Sequence, residues 1–143
     1  MHKKSYLTKL KVIKNDNGDI LHGLKSTEDS FENFGEAYFS NILKGSVKAW
    51  KNHKKAVLNL IVISGGVKFV VIESMPDDTF ITNEFVCGYP DDYCRLTIPP
   101  NTWFGFQGIK TNNTILSISS LPHNPDELER KELDTFNYDW SIK

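Results

Sequence analysis

Val57 to Ile63 and Val67 to Glu73 form two apolar runs on either side of Gly65-Gly66, and they constrain the fold more than any other stretch. Both are short, rich in Val and Ile, and bounded by glycine, which reads as buried strand rather than helix. Gly65-Gly66 is accordingly expected to be the turn between two strands. Asn59 interrupts the first run, and a polar amide among apolar residues must find hydrogen-bond partners or destabilise the fold. It reads equally well as a ligand contact or as a bond to a loop. Just upstream, Lys51-Asn52-His53-Lys54-Lys55 feeds the buried run with cationic and imidazole groups. An all-β scaffold would place an anionic ligand and a proton-transfer group there.

The rest of the chain repeats the pattern of short apolar runs separated by turn chemistry. Leu7 to Ile13 and Ile20 to Leu24 flank Asn15-Asp16-Asn17-Gly18-Asp19 as a hairpin. Gly35 to Ser40, Val47 to Trp50, Phe80 to Thr82, Phe85 to Cys87, Tyr93 to Ile98, Trp103 to Gln107 and Thr114 to Ser119 read as further strands. Pro99-Pro100 must end one of them, because two prolines cannot donate to a ladder. Asp126 to Glu132, after Asn124-Pro125, is the expected helix. About ten strands and one short helix make an all-β sandwich or barrel, and 143 residues with no repeat or linker make one domain spanning 1–143.

Charge and composition exclude several function classes. The net charge of -1 gives no global reason to bind nucleic acid or an anionic membrane, so any anion site must be local. Met1-His2-Lys3-Lys4-Ser5 precedes no apolar leader, no stretch could span a bilayer, and a cytoplasmic location is the expectation. Cys87 and Cys94 are too few for a disulfide framework and read as reduced thiols. Asn112-Asn113-Thr114 matches a glycosylation sequon but reads as a polar turn.

Two segments resemble the dTDP-4-dehydrorhamnose 3,5-epimerase family of the cupin superfamily: Lys44-Gly45-Ser46-Val47-Lys48-Ala49-Trp50-Lys51 and Leu96-Thr97-Ile98-Pro99-Pro100-Asn101-Thr102-Trp103-Phe104-Gly105-Phe106. Pro122-His123-Asn124-Pro125-Asp126-Glu127-Leu128-Glu129, Asp134 and Asp139-Trp140 are similar to that family's closing pattern. Phe34-Gly35-Glu36-Ala37-Tyr38-Phe39-Ser40 with Trp50-Lys51-Asn52-His53 further resembles a short sugar-epimerase branch associated with surface polysaccharides. The resemblance implies a cupin-type jelly-roll β-sandwich, a homodimer, and an isomerase acting on a nucleoside-diphosphate 4-keto-6-deoxy sugar through an enolate. A 3,4-ketoisomerase and a non-catalytic sugar or nucleotide-sugar binder are the alternatives.

Metal-dependent cupins carry histidines where this chain has Phe104 and a lone His53, so no metal or other cofactor is expected. An epimerase needs a base, an oxyanion stabiliser and an acid. At the family's positions for these the chain carries Lys51, Leu58 and Ser117. His53, two residues beyond Lys51, is therefore the first candidate base, because an imidazole ordinarily titrates near neutrality. Lys51 is the second, its ammonium requiring burial or neighbouring Lys48, Lys54 and Lys55 to lower its pKa. Asp134 matches the family's base-orienting Asp. Lys48, Asn59, Tyr38, Glu36, Trp103, Ser117 and His123 are candidate substrate contacts, with Tyr38, His123 or a water as proton donor. The plain structural readings stand beside these: solvated loop for His53 and His123, surface charge for the lysines, core for Trp103, cross-strand packing for Tyr38 and Glu36.

Overall fold

The computed structural model describes residues 3–141, so Met1 and His2 of the N-terminal reading lie outside it. It is all-β, with eleven strands and no α-helix among the described residues. In chain order they are β1 (Tyr6–Lys9), β2 (Val12–Ile13), β3 (Ile20–Leu21), β4 (Glu36–Leu43), β5 (Val47–His53) and β6 (Leu58–Ser74). Then come β7 (Phe80–Tyr89), β8 (Cys94–Ile98), β9 (Trp103–Gly108), β10 (Asn112–Ser119) and β11 (Leu128–Arg130).

The two apolar runs are one strand. β6 continues through Gly65-Gly66, pairing with β10 and β8 through its first half and with β7 and β9 through its second. The glycines bend a strand instead of reversing it, which corrects the expected turn. Gly65 has φ of +86°, and a Cβ there would lie 2.4 Å from both the Asn112 carbonyl and Asn113 Oδ1. Only glycine meets both demands at low cost.

Because β6 serves both halves, two antiparallel layers share it. One runs β4-β10-β6-β8-β1. The other runs β7-β6-β9-β5-β11. Leu58, Leu60, Val62, Leu96 and Ile115 from the first pack with Phe69, Val71, Phe104 and Phe106 from the second in one buried cluster. This is the jelly-roll sandwich expected.

The outer faces are covered by chain segments. On the first layer, Arg95 is 1 % exposed and donates to Gly23 O, Glu28 Oε2 and Ser30 Oγ. Asn59 makes the loop bond that was one of its two sequence readings: Nδ2 donates to Ser30 O at 2.9 Å, and Oδ1 accepts from Thr97 Oγ1 at 2.7 Å. On the second layer, Trp50, Val70, Ile72 and Trp103 are sealed by Phe136, Tyr138 and Trp140 of the C-terminal segment. Trp103, a candidate substrate contact whose other reading was core, is in this cluster, 5.9 Å from Phe136 and beneath the Lys131 ammonium.

The expected helix over Asp126 to Glu132 is a turn followed by β11, which pairs with the edge of β5. Leu128 is the one apolar residue in that stretch, so a helix would have no stripe to bury. Pairing with β5 gives the backbone ladder bonds instead. Phe80 to Thr82 and Phe85 to Cys87 merge into β7, and Leu7 to Ile13 divides into β1 and β2.

Asn113, read as a turn residue, is 1 % exposed and holds the bend of β6. Its Oδ1 accepts from Gly66 N at 2.8 Å and Lys110 N at 3.2 Å; its Nδ2 donates to Ile42 O and Lys110 O, both at 2.9 Å. Asn113→Ala should destabilise the protein by about 2–3 kcal/mol, because Gly66 N–H and Ile42 C=O lose their amide partner in the interior. Denaturant unfolding tests this, and a loss below about 1 kcal/mol would contradict it.

Candidate active site

Antiparallel pairing at the edge of the second layer sets which side chains meet. A one-residue irregularity in the β5–β9 pairing between Lys48 and Lys51 brings both lysines to one face although they are three apart. His53 follows Lys51 by two residues and shares that face. Across the β5–β11 pair, Leu128 opposes His53 and Arg130 opposes Lys51. From the first layer, Glu36 and Tyr38 at the start of β4 and Leu58 at the start of β6 reach the same space, with His123 from the loop after β10. These residues line a cavity of about 350 Å³.

Its best-defined element is an imidazole–carboxylate pair. His53 Nδ1 donates to Glu127 Oε1 at 2.6 Å, with the two side chains 17 % and 9 % exposed. Glu127 Oε2 accepts the backbone N–H groups of Lys55 at 3.0 Å and Ala56 at 3.1 Å. Burial pushes the Glu127 carboxyl up, but His53 and the two backbone donors outweigh it and hold it below its usual range. An ionised Glu127 fixes the Nδ1–H tautomer and leaves Nε2 of a neutral imidazole as a base. The ring lies nearly parallel to Phe104, centroids 6.4 Å apart, so packing and hydrogen bond both set its orientation.

Glu127 was missed by the sequence reading, which gave the orienting role to Asp134. Asp134 is exposed and borders a different surface hollow with Phe136 and Asn137. The signal available was Glu127 just beyond the Asn124-Pro125 turn, where a side chain can fold back on the strand before it. Lys51 is half-buried, and its ammonium pKa is lowered by burial first and then by Arg130 and Lys48.

The remaining candidates divide. Glu36, Tyr38, His53, Lys51 and His123 are brought together at the cavity. Lys48 is not among its lining residues: its ammonium spans to β4 and donates to Asn41 O at 2.8 Å and Ser40 Oγ at 3.3 Å. Ser117 is buried on β10, between Tyr38 and Leu60 in the sheet register, and does not line the cavity. Asn59 and Trp103 are held on the outer faces described above. His123 and Glu127 also border an adjoining hollow of about 600 Å³, rimmed by Lys54 and Lys55.

No protein-family model matches the chain. The spore coat polysaccharide biosynthesis protein SpsL of Bacillus subtilis (strain 168) is 26% identical over 142 residues, covering 94% of this chain and 93% of SpsL. The crystal structure of dTDP-4-dehydrorhamnose 3,5-epimerase from Elizabethkingia anophelis NUHP1 superposes with a TM-score of 0.79 over 99% of this chain and 84% of its own. At 12% identity that likeness speaks for the fold alone. The crystal structure of a dTDP sugar isomerase from Desulfovibrio desulfuricans G20 is 30% identical with a TM-score of 0.90, covering 97% of this chain and 92% of its own. With that identity over nearly the full length of both proteins, this chain belongs to the family of dTDP-sugar isomerases.

Proposed function

We propose that the protein is an isomerase of activated sugars, moving a proton on a dTDP-linked 4-keto-6-deoxy sugar in the synthesis of a surface polysaccharide. The observation that carries this is the His53–Glu127 pair lining a cavity in a chain of this family. His53 Nε2 takes the proton from the carbon beside the C4 ketone, and the electron pair moves onto the C4 oxygen as an enolate. A donor on the opposite side of the sugar returns a proton to carbon and inverts it. Tyr38 and His123, both at the cavity, are the protein groups able to serve, directly or through a water.

The volume of about 350 Å³ suits a hexose-sized group. The adjoining hollow carries Lys54 and Lys55 beside Asp126, and these two lysines are the candidate contacts for the nucleotide diphosphate. SpsL, named for spore coat polysaccharide biosynthesis, supports the polysaccharide context. The route uses no metal, and no three His, Cys, Asp or Glu side chains cluster to hold one among the described residues. A cytoplasmic location is part of the proposal; no helix among the described residues is long and apolar enough to cross a membrane.

A homodimer is also proposed, formed through the outer side of β4. Phe39 and Leu43, alternating along this edge strand, are 66% and 63% exposed, and Phe34 just before it is 66% exposed. Apolar exposure of that kind on a sheet edge marks an association surface. Phe39→Lys should shift the protein from dimer to monomer in light scattering with chromatography; a wild-type monomer would contradict the assignment.

Incubation with dTDP-linked 4-keto-6-deoxy sugars in deuterated water should place deuterium at C3 or C5, and His53→Ala should slow this at least about 10²-fold. No incorporation with any activated sugar would move the reading to a sugar-nucleotide binder. Glu127→Gln should slow exchange by roughly the same factor and cost about 1–3 kcal/mol of stability at pH 7. Because the folded pKa of Glu127 is lowered, its contribution is present above the unfolded value of 4.5 and lost as pH falls through the folded value. The stability gap between Glu127→Gln and wild type should therefore close as pH falls below 4.5 and through the lowered folded value. A gap independent of pH would contradict the assignment.

A further inference from the structure

Lys51 and Arg130 stand directly opposite each other in the β5–β11 pair, and both line the cavity that holds His53. Like charges at opposed positions of an antiparallel pair destabilise it. Two carboxylates, Glu36 and Glu127, line the same cavity. Both oxygens of Glu127 are occupied by His53 and two backbone N–H groups. Glu36 lies at the start of β4, and neither cation forms a salt bridge among the described residues. Lys48, the other lysine on this face of β5, is already hydrogen-bonded to β4. Two cations thus share one small space with the base, Arg130 from its exposed side, and an arriving anion would relieve their mutual repulsion.

The reaction proposed above makes such an anion. When a proton leaves the carbon beside the ketone, its electron pair collects on the C4 oxygen, which needs donors already in place. Leu58, at the position where the sequence resemblance puts an oxyanion lysine, lines this same cavity and can donate nothing. We infer that Lys51 and Arg130 together form the oxyanion site for this enolate, Lys51 as the hydrogen-bond donor to the C4 oxygen and Arg130 as the second positive charge across the strand pair. This rests on the proposed isomerase reading and reassigns Lys51 from candidate base to electrophile. The lowered ammonium pKa of Lys51 is what a half-buried lysine facing an arginine should have. The other titratable or charged groups around it are His53 and Lys48 on its own strand, Glu36 and Tyr38 on β4, and Glu127 and His123 from the C-terminal loop.

The test uses the full chain with four substitutions: Lys51→Met, Lys51→Arg, Arg130→Met and the double change to Met. Deuterium incorporation at saturating sugar nucleotide is measured alongside dTDP affinity and thermal unfolding. Lys51→Met should lower the saturated exchange rate at least about 10²-fold and leave dTDP affinity within about threefold. Its melting temperature without ligand should rise, because a buried charge and its repulsion are removed. Arg130→Met should do the same to a lesser degree, and the two losses should not add, since both act on one oxygen. The rate should fall at alkaline pH as Lys51 deprotonates, and Lys51→Arg, which keeps some rate, should move that limb upward. If Lys51→Met instead keeps the saturated rate and loses dTDP affinity more than about tenfold, the pair holds the diphosphate and the inference is wrong. If the wild type exchanges and neither single variant affects rate or affinity, this inference alone fails. If the wild type exchanges with no sugar, the isomerase reading fails and takes this with it.

Discussion

One strand belongs to both layers of this sandwich, and most of the architecture follows from keeping it continuous. β6 gives its first half to one sheet and its second half to the other, so its bend at Gly65-Gly66 fixes how the layers face each other. Asn113 holds the bend by bonding Gly66 N and Ile42 O, tying β10, β6 and β4 at one buried amide. The cavity is the space left at the end of the sandwich where β6 begins. Leu58 lines it, with β4 from one layer and β5 with β11 from the other. A change in the bend would move these walls relative to one another.

Within that frame, charge does most of the work of the site. Glu127 is a buried carboxylate stabilised by three donors, and it converts a short C-terminal segment into a support for His53. The same segment brings Arg130 opposite Lys51. In the proposed reaction the carboxylate-held His53 removes the proton, and Lys51 and Arg130 of the same cavity stabilise the charge that forms. The chain segment that continues to Trp140 closes over the outer face of the second layer, so a single tail both completes the site and seals the core behind it.

The fold was largely legible because alternation and glycine placement report strands directly. Misreadings fell where a local signal competed with a long-range partner. Gly65-Gly66 has the composition of a turn, and only pairing with four other strands makes it a bend. Asp126 to Glu132 has helical start signals, yet its backbone found a better partner in the free edge of β5. His53, Lys51, Glu36, Tyr38 and His123 were readable as site candidates from their strand periods and the family likeness. Glu127 was not, because its partner is 74 residues away and Asp134 offered a nearer match to the expected spacing. The reassignment of Lys48, Asn59, Ser117 and Trp103 has the same origin: each finds a protein partner or a buried position that one-dimensional spacing does not reveal.

In the proposed complex a ketosugar sits between His53 and the Lys51–Arg130 pair. A crystal structure of the His53→Asn variant with a bound dTDP-4-keto-6-deoxy sugar tests it directly. C3 or C5 should lie within about 3–3.5 Å of the position that His53 Nε2 occupies, as reacting atoms do in a near-attack arrangement. The C4 oxygen should face Lys51 and Arg130. A sugar ring outside this cavity, or one with the diphosphate lying between Lys51 and Arg130, would contradict the account.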